Sequence, residues 1–114
     1  ANIEQLFTPS ETRPNYIFQT FLYASIMCRQ QTLKVAPALL YIHRAASDSY
    51  SPVIEMGEPR QPKIPVNNFT FFEDEFRKRL QTLLEEIFSE NEPFTQTEDI
   101  KKCSYCDFKA ICKR

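Results

Sequence analysis

Apolar positions recur along the chain with two different periods. In NYIFQTFLYASIMCRQQ, Ile17, Phe21, Ala24 and Cys28 return every three or four residues, and Phe18 and Leu22 widen the stripe. This is the signature of a helix over 14–31 with one buried face. Pro14 suits its first position, where a missing N–H costs nothing. Next, VAPALLYIHR is apolar and β-prone, too short for a helix, and carries Pro37 near its start. It reads as a largely buried strand, and SYSPVIEM as its neighbour. The polar ASDS between them is turn-like, so 34–56 is expected to form an antiparallel hairpin.

From Gly57 to Asn68, three prolines and the only glycine predict an extended connector. A second helix is predicted over 70–90. Thr70 and Glu73 have the spacing of a capping box, and Phe72, Phe76, Leu80, Leu83, Leu84, Ile87 and Phe88 form one apolar stripe. Residues 1–13 show no clear periodicity. The fold class is therefore α+β: helix, antiparallel hairpin, long helix, and a cysteine-containing tail over 99–114. As an architecture this is incomplete. A lone two-stranded hairpin is marginal in water, and two amphipathic helices call for a larger sheet to cover.

Composition adds bounds. The chain has 114 residues, 42% of them hydrophobic, and a formal net charge of -1, which suits one globular domain. No apolar run approaches the ~20 residues of a bilayer-spanning helix. The chain opens on Ala1, and ANIEQLFTPSETRP has neither the basic nor the apolar region of a signal peptide. The expectation is a cytoplasmic piece of a longer polypeptide. Charge is uneven: of the 14 basic and 15 acidic residues, five and one lie in 101–114, leaving nine and fourteen before them. A basic tail on an acidic body is either a solubilising end or a contact for phosphate or an acidic surface.

The tail also carries the most specific chemistry. Cys103, Cys106 and Cys112 stand as Cys-x2-Cys-x5-Cys, and the first spacing lets two thiolates converge on one metal or cluster from a single turn. Structural zinc takes four ligands and an iron–sulfur cluster usually four thiolates, so a fourth ligand is needed. Cys28 and His43 are the candidates within the chain. Cys28, however, fits the buried face of the first helix, and a ligand outside these residues is expected. A disulfide framework is the competing reading, against which stand the conventional apolar core and the missing signal peptide. Spacing alone does not separate zinc from iron–sulfur.

The ending Cys103-Ser-Tyr-Cys106-Asp-Phe108-Lys-Ala-Ile-Cys112 resembles the carboxyl end of RecB-like PD-(D/E)XK nucleases of the AddB type. Gln19-Thr-Phe-Leu-Tyr23 resembles the Gln-x3-Tyr motif that follows the catalytic core in that family. The order of motifs agrees over nearly the whole chain. The resemblance implies the C-terminal part of an α/β nuclease-type fold, with residues 1–114 a fragment of one larger domain. It implies that Gln19 and Tyr23 contact DNA or steady the catalytic groups. It further implies that Cys103, Cys106 and Cys112 are three of four ligands to a [4Fe-4S] cluster, and that the parent nuclease uses Mg2+ or Mn2+, acts on DNA and works beside a helicase subunit or domain.

The catalytic carboxylate motif of that family is absent here. The only acid-x-Lys matches, Asp99-Ile-Lys101 and Asp107-Phe-Lys109, lie in the tail with no strand carrying a partner carboxylate. The family places that motif upstream of the Gln-x3-Tyr helix. No catalytic residue is thus expected in this fragment, which alone should not cut DNA. His43 has no nameable catalytic partner, there is no nucleophile elbow, and one glycine cannot make a phosphate loop. Two functions remain: the C-terminal part of a DNA exonuclease or helicase–nuclease of repair or recombination, or a zinc-stabilised protein- or nucleic-acid-binding module without catalysis.

Overall fold

The computed structural model describes residues 1–30 and 34–114. Its elements are α1 (Ile3–Phe7), α2 (Asn15–Gln30), a 3-10 turn (Ile42–Arg44), β1 (Glu55–Met56), β2 (Ile64–Pro65), α3 (Thr70–Phe88) and α4 (Ile100–Ser104). Among the described residues no helix is long and apolar enough to cross a membrane. The chain divides into two compact units, Ala1–Leu84 and Glu85–Arg114. The fold is mixed, helices with a small two-stranded antiparallel sheet, in agreement with the α+β class expected from the sequence.

In the first unit the core is aromatic. Phe21, the central residue of α2, lies 4.9 Å from the ring of Phe69 and 5.8 Å from that of Phe76, both edge-on. All three are fully buried, and edge-to-face pairs of this kind add to the stabilisation from buried area alone. The predicted stripe of α2 is correct: Phe21 and Ala24 are buried, and Ile17, Phe18, Leu22 and Cys28 pack at the margin. The last residue of the predicted 14–31 helix, Gln31, lies outside the described residues. Pro14 sits one position before the helix, where its carbonyl accepts the Phe18 N–H at 3.1 Å.

Residues 1–13, without periodicity, nevertheless supply two core residues. Asn2 caps the five-residue α1 with a reciprocal box, its side chain accepting from the Gln5 N–H while the Gln5 side chain accepts from the Asn2 N–H. That box aims Ile3 and Leu6 into the core.

The hairpin lies downstream of where the apolar runs place it. Over 34–56 the chain does reverse, but only one isolated antiparallel bridge forms, Ala38 to Val53. Two causes are visible. Pro37 and Pro52 bring no N–H to a ladder. The Tyr50 hydroxyl then accepts from the Tyr41 N–H and donates to the Leu39 carbonyl, both at 2.6 Å, occupying backbone groups a ladder would use. Regular pairing occurs instead between β1 and β2, with Glu55 opposite Pro65 and Met56 opposite Ile64. β2 falls inside the predicted connector, where Pro65 is tolerated because the strand is an edge.

Between these strands Gly57 is required by close approach. A Cβ there would meet the Pro62 carbonyl oxygen at 3.1 Å and the Lys63 Cα at 3.2 Å. The loop turns through Pro59 and Arg60, the latter at a positive φ of 66°, and closes with the Gln61 N–H on the Glu58 carbonyl. Pro followed by a positive-φ residue is the pattern of a type II turn.

In α3 the apolar stripe is buried only at its start. Phe76 is fully buried, Phe72 and Leu80 pack at the core margin, and Leu84, Ile87 and Phe88 are exposed. The second unit buries no side chain.

Candidate nucleic-acid interface

The face of α2 opposite its core stripe carries Tyr16, Gln19 and Tyr23, spaced i, i+3 and i+7. Such spacing places all three on one side of a helix. Gln19 and Tyr23 also touch: the Gln19 amide donates to the Tyr23 hydroxyl at 3.3 Å, and both side chains are exposed. Tyr23 keeps 58% of its surface in solvent. The pair therefore presents a carboxamide oxygen, a free amide proton and a phenol proton outward, a set able to grip a phosphate or a base edge.

At the N-terminal end of the same face lies a group that sequence reasoning missed. The Tyr41 ring meets Tyr16 edge-on, with centroids 6.4 Å apart, and His43 at 6.1 Å. The Arg44 guanidinium lies 5.5 Å above the Tyr41 ring, a cation–π distance. The dense Tyr-Ile-His-Arg run at 41–44 is the signal that could have drawn attention. Its apolar content predicts a strand, whereas Ile42–Arg44 form an exposed 3-10 turn entered from the half-buried Tyr41.

In the second unit the three tail cysteines are free thiols. Cys103, half-buried on α4, donates to the Asp99 carbonyl at 3.9 Å. The Cys106 N–H returns to the Cys103 carbonyl at 3.1 Å, so the Cys-x2-Cys pair brackets one tight turn. Cys106 Sγ accepts the Phe108 N–H at 3.4 Å. Hydrogen bonds of this kind stabilise a ligating thiolate. The donor chemistry of the three thiols is that a thiolate-bound metal or cluster would use. The side chains are not gathered around one point: among the described residues no group of three or more His, Cys, Asp or Glu is arranged to hold a metal ion.

The tail has a scaffold of its own. Gln96 donates to the Cys112 carbonyl at 3.1 Å, Arg114 Nε donates to the Gln96 side chain and Arg114 Nη2 to the Thr97 carbonyl, each at 3.1 Å. Arg114, read from the sequence as part of a basic patch, therefore closes a loop. Lys102 pairs with Asp99 at 3.9 Å. Of the two acid-x-Lys matches, Asp99-Ile-Lys101 enters α4 and Asp107-Phe-Lys109 lies on turns, and neither is on a strand.

Cys28 is set apart by its surroundings. Partial burial pushes its thiol up from the ordinary range, and the negative charge of Glu73 adds to the effect. It behaves as a small apolar residue at the core margin.

Comparison with curated proteins and with solved structures gave no match. A family model does match: that of the PD-(D/E)XK nuclease superfamily, over residues 5–113.

Proposed function

This chain belongs to the PD-(D/E)XK nuclease superfamily, and from that premise we propose that it is the RecB/AddB-like C-terminal part of a nuclease acting in DNA repair or recombination. Nucleases of this superfamily generally hydrolyse phosphodiester bonds with divalent metals such as Mg2+. In our reading the metal-binding carboxylates come from strands outside these 114 residues, and this part of the domain positions DNA.

The observation that carries the reading is the hydrogen bond from Gln19 to Tyr23 on the solvent face of α2. Between two exposed polar groups such a bond competes with water and contributes little to stability, so its bearing is on side-chain orientation. Joined, they hold each other's rotamers, as a contact to a substrate phosphate needs. Cys103, Cys106 and Cys112 would hold the iron–sulfur staple, with a fourth ligand from elsewhere. When bound, that group would supply a cross-link within the C-terminal residues; the turn at 103–106 and the Phe108 N–H that donates to Cys106 Sγ would prepare two of the ligands. The basic residues 101, 102, 109 and 113 would add sequence-independent attraction to the DNA backbone. A helicase subunit or domain is the expected partner.

The test is cleavage of linear DNA with Mg2+ by the full-length protein carrying Gln19→Ala or Tyr23→Phe. Loss of positioning is expected to lower the cleavage rate about tenfold to a hundredfold, with circular dichroism and melting temperature unchanged because both residues are exposed. Unchanged cleavage in both variants would remove the role assigned to the pair.

A further inference from the structure

The group around Tyr41 is not explained by packing. Tyr16 is 65% exposed and Ile42 83%, and His43 and Arg44 are exposed as well. None of them belongs to the core cluster or its margin. The turn that carries Ile42, His43 and Arg44 is nonetheless held at its start, by the two 2.6 Å hydrogen bonds of the Tyr50 hydroxyl to the backbone on either side of Leu40. Exposed rings and an exposed apolar side chain held together on a fixed turn are the kind of surface that marks an interaction site.

We propose that Tyr16, Tyr41, His43 and Arg44 form a stacking platform for single-stranded nucleic acid that continues the Gln19–Tyr23 face of α2; the proposal rests on the nuclease reading and narrows its substrate to unpaired strands. Three observations carry it. The rings stand roughly perpendicular to their neighbours, at 79° for Tyr16 with Tyr41 and 71° for Tyr41 with His43, so adjacent rings do not stack on each other; Tyr41, with Arg44 over its face, is the mount, and the exposed rings of Tyr16 and His43 are the ones offered to a base. Arg44 makes no ion pair among the described residues and is oriented by the Tyr41 ring, which leaves its N–H fork for a phosphate. Tyr16 and Tyr23 are seven residues apart on one helix face, about 10 Å along the axis, so one strand passing over both would also meet Gln19.

Duplex DNA does not suit this surface. Stacking requires a base face, and in a duplex those faces are covered by neighbouring bases. Every base has such a face, so the platform reads no sequence. Asp48 follows Arg44 by four residues in the sequence and Glu55 lines the same hollow as Tyr41 and Arg44, so the net attraction for a polyanion is modest. Stacking therefore contributes most of the discrimination.

The experiment is fluorescence anisotropy on the full-length protein in the presence of a chelator, which prevents cleavage. The probes are an oligothymidylate of about 20 nucleotides, longer than the ~4–16 that a single-strand-binding fold covers, an abasic strand of equal length, and a matched duplex. Wild type is expected to prefer the oligothymidylate to both others. Tyr16→Ala and His43→Ala should each weaken that binding at least about fivefold, the loss of one base–aromatic stack, and leave abasic-strand binding unchanged. Arg44→Ala should weaken both strands and lower the salt slope by about one ion.

Wild-type binding with no preference for bases over the abasic strand, or Tyr16 and His43 variants that bind as wild type, would overturn the platform. That failure is separable from failure of the nuclease reading. Neutral platform variants beside a Gln19→Ala variant that has lost cleavage sink only the platform. Weakened oligothymidylate binding beside undiminished cleavage in the Gln19 and Tyr23 variants keeps the platform and sinks the role of the pair.

Discussion

Cys28 shares a helix with Gln19 and Tyr23 but faces the core, and its thiol shows how placement sets chemistry. Burial disfavours the thiolate and Glu73 disfavours it further, so the folded chain holds the thiol above its ordinary value. For a group raised on folding, the neutral form contributes stability below the unfolded thiol range, and that contribution is lost as pH rises through the folded value. The thiolate is the nucleophile. At pH ~8, below the free-thiol value of about 8.5, iodoacetamide should label the peptide containing Cys28 more slowly than those containing the exposed Cys106 and Cys112. Its rate should go on rising with pH where that of a free thiol has levelled, and Glu73→Gln should speed it. Equal labelling of Cys28 and Cys106, followed by mass spectrometry, would refute this placement.

At the scale of elements, the start of α3 separates a sequence pattern from the bond it suggests. Thr70 and Glu73 have capping-box spacing, yet Thr70 is already the first helical residue, and a box needs its hydroxyl one position earlier. The Asn68 side chain does the capping instead, accepting the Thr70 N–H at 3.1 Å, while Glu73 lies 4.0 Å from Arg77. Asn68→Ala should cost about 1 kcal/mol and Thr70→Ala no more than about 0.5 kcal/mol, read as shifts in urea midpoint; the reverse order would restore the box. The same contrast explains what could be read from the chain. The period of α2 was legible because Phe21 and Ala24 meet one core on one face. The hairpin was misplaced because apolar content does not report hydrogen-bond donors: Pro37 and Pro52 withhold them, and a tyrosine hydroxyl takes over two backbone groups. In the candidate site, the spacing of Gln19 and Tyr23 puts them on one helix face, and their hydrogen bond is what the structure adds. The Tyr41 group was not legible, since it depends on a turn that brings residue 41 to residue 16.

For the whole molecule, the two units differ in what holds them together. Residues 1–84 surround a set of buried rings, whereas 85–114 bury no side chain and depend on hydrogen bonds such as those joining Gln96, Thr97, Cys112 and Arg114. A segment of about thirty residues without a core is below the size that folds unaided, and a metal is one of the few devices that compensates. Ligand binding to the folded form alone stabilises it by mass action. If Cys103, Cys106 and Cys112 bind a cluster, its free energy is folding free energy for this unit and for little else. Trypsin reports on that directly, because Lys101, Lys102, Lys109 and Lys113 lie among the three cysteines and beside them. Protein reconstituted anaerobically with iron and sulfide, and showing the broad visible absorption of a thiolate-bound cluster, should resist cleavage at these four sites. A chelator or Cys112→Ser should restore cutting there, while fragments within 1–84 accumulate at an unchanged rate. Cleavage of the tail at one rate with and without the metal would mean that the cysteines do not staple this unit. A colourless protein carrying one zinc, with the same protection, would keep the staple and change its metal.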